Sequence, residues 1–286
     1  MRARLTLALA LLALSAGLAS AAALPQGNGL AAKYPGDVGI AKHPAVIFAD
    51  GFESGGPILW DSQGEGTPTT DDTARVHSGK RSLQIEVPPG KSSNGGMTKL
   101  FRPGYDKVFV RWYVMYAEDY NEGVGHHDGG LLAALANRWY LGRSGNKPMG
   151  NDFFQTWLQT SGFSGHRPPG QLFFYTYYVD MTRDPDGNYW GNTFQPKTDF
   201  AMERGRWYCW EMMVRMNTRG KADGEQAFWV DSKLIGDFKG LRLRAVEGLK
   251  LNAFMLGLYL HDNKQVNRLW YDDVVIATSY IGPMKP

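Results

Sequence analysis

The chain has 286 residues, with 31 lysines and arginines against 28 aspartates and glutamates. That near-balance gives no electrostatic case for a nucleic-acid or anionic-membrane partner. The single cysteine, Cys209, excludes an internal disulfide framework.

The first residues read as a secretory leader. Arg2 and Arg4 precede an apolar run from Leu5 to Leu14, and small residues follow from Ser15 to Ala23. The apolar run is shorter than the roughly 20 residues needed to span a bilayer. We therefore expect residues 1–23 to be a signal peptide and the protein to be secreted, periplasmic or extracellular. Its removal leaves 29 basic and 28 acidic residues, and a monomer with no membrane partner is expected. Residues 24–45 are broken by Pro25, Gly27, Gly29, Pro35, Gly36 and Gly39, so a flexible segment is predicted there.

From residue 46 to 286 the pattern is that of strands. Val46 to Phe48 opens it. Arg81 to Val87 alternates, with Leu83, Ile85 and Val87 on one face. In Lys107 to Tyr116, Val108, Val110, Trp112 and Val114 share the packing face, leaving Phe109, Arg111, Tyr113 and Met115 on the other. Further strands are read at Phe153 to Thr160, Gln171 to Met181, Arg206 to Asn217, Gln226 to Asp231, Leu249 to His261 and Leu269 to Ala277. Only Gly130 to Asn137 offers a short helix. Many strands, 35 glycines and no βαβ alternation predict an all-β, antiparallel two-sheet jelly-roll sandwich in one domain. The aromatic content of 13% suits pleated sheets, and it also suits sugar binding, because a pyranose C–H face packs on a ring.

Three stretches carry a resemblance. Ala49-Asp-Gly-Phe-Glu-Ser-Gly55 leads to Trp60 and His77-Ser-Gly-Lys-Arg-Ser-Leu83. Gly205-Arg-Trp-Tyr-Cys-Trp-Glu211 leads to Asn217, Asp223-Gly224 and Trp229-Val-Asp231. Leu269-Trp-Tyr-Asp-Asp-Val-Val-Ile-Ala277 closes the chain. This order resembles the concanavalin A-like lectin/glucanase superfamily, and within it the jelly-roll polysaccharide lyases of the alginate and glucuronan type. The segment Gly123 to Leu132, with Gly-His-His-Asp-Gly-Gly, is similar to the glycine-rich loop those lyases place beside the substrate. His126 and His127 stand where that loop often carries a lysine.

The resemblance implies a polysaccharide as partner, and a uronate-containing one is expected. A uronate lyase needs a group to neutralise the carboxylate, a base for the proton beside it, and an acid for the leaving oxygen. If the strands share one sheet, Arg111, Gln155, Tyr175 and Tyr177 could supply these roles, with His126 and His127 reaching over from the loop. Tyr113, Trp157, Gln159 and His261 are candidate substrate contacts. The two loop histidines are also candidate metal ligands with Asp128, although substrate contact is the better reading. No cofactor is needed for catalysis, but Asp50 and Asp273 could help hold a structural calcium ion where the two ends of the sandwich meet. Cys209, between Tyr208 and Trp210, reads as a packing residue.

Two other readings stand beside the lyase. A non-catalytic carbohydrate-binding module would use the same aromatics, and a structural envelope protein would bind no glycan. A glycoside hydrolase ranks lower, since no strand shows the closely spaced carboxylates that chemistry needs.

Overall fold

Two-residue alternation becomes two stacked antiparallel sheets in a computed structural model. The structure describes residues 23–286, apart from 57, 65–67, 124–125, 138–143, 162–164 and 199 and the side chain of His126. Residues 1–22 of the expected leader lie outside the described residues. Among the described residues no helix is long and apolar enough to cross a membrane.

The first sheet runs β15 (Lys233–Leu241), β14 (Gly224–Val230), β13 (Tyr208–Arg215), β6 (Lys107–Tyr116), β18 (Asn267–Ala277), β4 (Ser82–Val87) and β3 (Thr69–Thr70). Strand β1 (Val46–Asp50) also pairs with β18. The second sheet runs β11 (Asn192–Phe194), β10 (Gly170–Tyr177), β9 (Phe153–Ser161), β8 (Gly130–Leu135), β16 (Leu251–Gly257), β5 (Gly96–Tyr105) and β2 (Ser62–Gln63). Strand β12 (Ala201–Met202) adds to β10. A two-stranded ribbon, β7 (His126–His127) with β17 (Tyr259–Leu260), completes the set. The all-β jelly-roll expectation is met.

The alternation places the core as predicted. Val108, Val110, Trp112 and Val114 of β6 and Tyr208, Trp210, Met212 and Val214 of β13 point between the sheets, as do Leu83, Ile85 and Val87 of β4. They meet Leu132, Phe154, Leu158, Phe174 and Phe254 from the opposite sheet. Trp112 packs edge-on to Trp210 at 5.9 Å and 5.5 Å from Phe254. Each such fully buried aromatic contributes on the order of 3 kcal/mol, so this layer dominates the stability of the sandwich.

Two expectations change. Gly130 to Asn137 is not helical, because its first six residues form β8. Leu132 and Ala134 face the inter-sheet core while Leu131, Ala133 and Leu135 face the other side, so both faces are buried and no alternation shows in the sequence. Residues 24–45 are also more ordered than their glycines and prolines suggest. They carry three short 3-10 turns, Leu30–Lys33, Pro35–Asp37 and Ile40–Lys42, laid on the outer face of the first sheet. The segment is tied there by Leu30 and Ala31 N–H donating to Tyr280 and Ile281, and by Trp229 Nε1 donating to Pro25.

Candidate active site

Gln155, Trp157 and Gln159 alternate on the outer face of β9, away from the sandwich core. The antiparallel register sets Tyr177 opposite Gln155, Tyr175 opposite Trp157 and Phe173 opposite Gln159. A cleft of about 660 Å³ opens over this face and is lined by Gln155, Trp157, Tyr175 and Tyr177 together with His127 and His261. Leu131, Ala133 and Ala253 pack beneath it.

The histidine loop is held by the residues around it. Strand β17 sets Tyr259 opposite His127. Asp128, next in sequence, turns inward and is fully buried, accepting from Tyr116 Oη and from the Thr160 N–H (2.8 Å) and Oγ1 (2.7 Å). Gly129 has φ of 72°, and a side chain there would run into the Leu158 carbonyl oxygen. A side chain at Gly130 would press on Phe254 and Trp112. Asp128, Gly129 and Gly130 therefore lock the loop, while His127 is presented to the cleft. The side chain of His126 lies outside the described residues.

His127 sits at the centre of the set. Its Nδ1 is 2.9 Å from Gln159 Oε1. Its ring lies 5.7 Å from Trp157 in a stacked arrangement, 5.1 Å from Tyr175 and 6.1 Å from His261. With the amide oxygen of Gln159 as partner, Nδ1 carries the proton and the basic lone pair falls on Nε2. Tyr175 and Tyr177 hydroxyls are 3.5 Å apart. Burial, and then the hydrogen bond with Tyr175, push the Tyr177 phenol above its usual range, so it remains a neutral donor. Gln155 is only 2% exposed.

Arg111 and Tyr113 do not belong to this site. Their strand, β6, lies in the first sheet, on the opposite side of the molecule from the cleft. Arg111 is fully buried beneath the N-terminal segment and paired with Asp37. The Tyr113 hydroxyl accepts from the Met284 N–H at 3.0 Å, and its ring stacks on His77 at 3.5 Å. Period-two alternation had assigned their face correctly but not their sheet, because strand pairing is long-range.

Asp50 and Asp273 also lie in the first sheet and have protein partners. Asp50 accepts from the Phe52 N–H (2.9 Å) and Trp60 Nε1 (2.8 Å). Asp273 meets His77 Nδ1 at 2.7 Å and accepts from Ser78 Oγ at 2.8 Å. Among the described residues no three His, Cys, Asp or Glu side chains gather as a metal would require, and Asp128 is turned inward to Tyr116 and Thr160. Cys209 is buried and burial pushes its thiol up to about 12, which suits a packing residue.

Sequence reasoning missed Trp190, Tyr259, Ser93 and Ser144, all of which line the cleft. Tyr259 carried a signal: it is 41% exposed between Leu258 and Leu260, which are buried, and it shares parity with His261. Trp190 lies in a turn-rich stretch without periodicity.

The fold and cleft define a jelly roll with an aromatic groove across one sheet, and solved structures share the fold. The alginate lyase vAL-1 from Chlorella virus superposes with a TM-score of 0.61 at 16% identity, covering 82% of this chain and 99% of that one. An endo-β-1,4-glucuronan lyase from the fungus Trichoderma reesei gives 0.55 at 17% identity, covering 82% and 95%. A mutant of the alginate lyase Aly36B in complex with alginate trisaccharide gives 0.53 at 16% identity, covering 69% and 81%. No family model matches the chain, and no curated protein does. The jelly-roll fold is thus shared with these alginate and glucuronan lyases, as the resemblance implied.

Proposed function

We propose that the protein is a secreted polysaccharide lyase that cleaves a uronate-containing chain by β-elimination. The observation that carries this reading is the convergence of His127, oriented by Gln159, with Tyr175, Tyr177 and Gln155 in one cleft. The fold likeness to alginate and glucuronan lyases supports it.

In this reading a uronate lies across the floor with its carboxylate at the Gln155 amide, which donates to the charge that builds up when the adjacent carbon loses its proton. His127 Nε2 takes that proton. The electron pair left on carbon forms the new double bond as the glycosidic C–O bond breaks. Tyr175 protonates the departing oxygen, and Tyr177, kept neutral, steadies the Tyr175 hydroxyl. A positioned base and a positioned acid account for about 10²–10⁴-fold each in rate.

The test is incubation of the mature protein with glucuronan, alginate and related uronans while following ultraviolet absorbance from the unsaturated uronate end. Absorbance should rise with the parent and fall to background with His127→Ala and Tyr175→Phe. A flat trace across the panel would remove the lyase reading. Saturable binding without turnover would then point to a carbohydrate-binding module. The exposed faces of Trp190 and Tyr259 supply the specific support for that second reading.

A further inference from the structure

The cleft crosses its sheet from Ser93 and Gly96, at the start of β5, to Trp190, just before β11. Five strand spacings separate β5 from β11 in the sheet order, a path of roughly 24 Å. The His127–Tyr175 pair does not lie at its midpoint but toward the β10–β11 side. Among the described residues, the exposed ring that lines the cleft beyond that pair is Trp190, at 39% exposure.

Trp190 is fixed from several directions. Its indole N–H donates to Asp186 Oδ2 at 2.7 Å, and its backbone N–H donates to Asp184 Oδ2 at 3.0 Å. Asp186 also accepts from the Asn188 backbone N–H (2.9 Å) and side-chain amide (3.2 Å). These donors, the Asn188 N–H first, lower the Asp186 carboxyl below its usual range and keep it an acceptor. The base of the loop is closed by reciprocal hydrogen bonds between Thr182 and Asn192. Tyr189 bridges to Gly145 across the cleft rim. Immediately after the ring, Gly191 lies so close to Tyr175 that a Cβ would sit 2.5 Å from it. The loop therefore couples the Trp190 ring rigidly to the residue assigned as acid. An exposed indole that is held by hydrogen bonds before any ligand arrives loses little freedom on binding, so its face is available for stacking at low entropic cost.

We infer that Trp190 is a sugar-stacking platform that binds the pyranose next to the cleavage point on the β11 side, with Asp186 as the residue that positions it. This rests on the reading of the cleft as a glycan site. It selects for oligosaccharides that extend past the reacting residue toward β11 and present a flat C–H face there. Substrates cut at a chain end on that side would leave the platform empty.

The test measures KM and kcat for Trp190→Ala, Trp190→Phe, Asp186→Ala and Asp186→Asn against a ladder of uronan oligosaccharides, together with indole fluorescence during titration. Loss of one stacking contact corresponds to a five- to tenfold rise in KM. Trp190→Ala and Asp186→Ala should show that rise with long substrates, with kcat changing less than KM and the effect shrinking as the ladder shortens. Trp190→Phe and Asp186→Asn should recover part of it. Unchanged KM at every length, with the parent turning over, would overturn the platform and leave the lyase reading intact. If the parent turns over none of the ladder but its fluorescence responds to glycan and Trp190→Ala does not, the platform stands and the lyase reading falls. No turnover and no fluorescence response would overturn both.

Discussion

Nδ1 of His127 lies 2.9 Å from the side-chain oxygen of Gln159, two residues along β9 from the Trp157 ring on which the imidazole stacks. This contact fixes both the tilt of the ring and the nitrogen that carries the proton. Replacing Gln159 with leucine removes the orienting acceptor but leaves the imidazole. We predict a fall in kcat on uronan of about tenfold to a hundredfold, against 10²–10⁴-fold for His127→Ala. Steady-state rates of the two variants on uronan check both.

Tyr177 is held neutral by burial, so its hydroxyl acts as a hydrogen-bond donor and does not titrate in the working range. Tyr177→Phe should lower kcat about tenfold, the equivalent of one hydrogen bond of about 1.4 kcal/mol. It should not move the alkaline limb of the rate profile below about pH 10. A shifted alkaline limb would show that Tyr177 ionises and would assign it a different role.

On the far sheet, Arg111 and Asp37 form a buried ion pair that pins the N-terminal segment. Among the described residues, Arg111 Nε and Nη1 reach no acceptor, so Asp37 is its compensating charge. Asp37→Ala should destabilise by about 3–5 kcal/mol, because it strands a buried guanidinium. Adding Arg111→Met should recover much of that loss. Urea denaturation of the single and double variants measures it, and the activity of the folded protein should be little affected, since the pair lies on the opposite sheet from the cleft.

Glu211 links the C-terminal tail to the same sheet. Its oxygens accept from the Ile281 and Gly282 N–H groups, each at 2.8 Å. Burial outweighs those donors and Arg111 and pushes the carboxyl up from 4.5 to about 7. The folded state therefore keeps a proton that the unfolded chain releases between pH 4.5 and 7. Stability from this group declines as pH rises through that window, by on the order of 3 kcal/mol in all, and is level above it. The difference in unfolding free energy between the parent and Glu211→Gln should follow that slope, and a pH-independent difference would contradict it.

Much of the architecture was legible in the sequence, for a physical reason. Strands with one face on the core and one on a different environment alternate, and β4, β6, β9, β13 and β18 were read within a residue or two of their ends. Strand β8 was not legible because Leu131 to Leu135 is buried on both faces. The cleft residues on β9 and β10 were legible as face partners. Arg111 was assigned to them wrongly, because alternation says which residues share a face and is silent on which strands pair. Trp190 depends on a loop closed by Asp184, Asp186 and Asn192, and such side-chain-built turns carry no period to detect.

The most direct measurement is mass spectrometry of the products formed from glucuronan or alginate in heavy-oxygen water. At each cleavage, elimination predicts one fragment with an unsaturated non-reducing end, one water lighter than its hydrolytic counterpart, and a new reducing end that keeps the glycosidic oxygen. Incorporation of solvent oxygen into a new reducing end, or products that persist undiminished in the His127→Ala and Tyr175→Phe variants, would contradict the account.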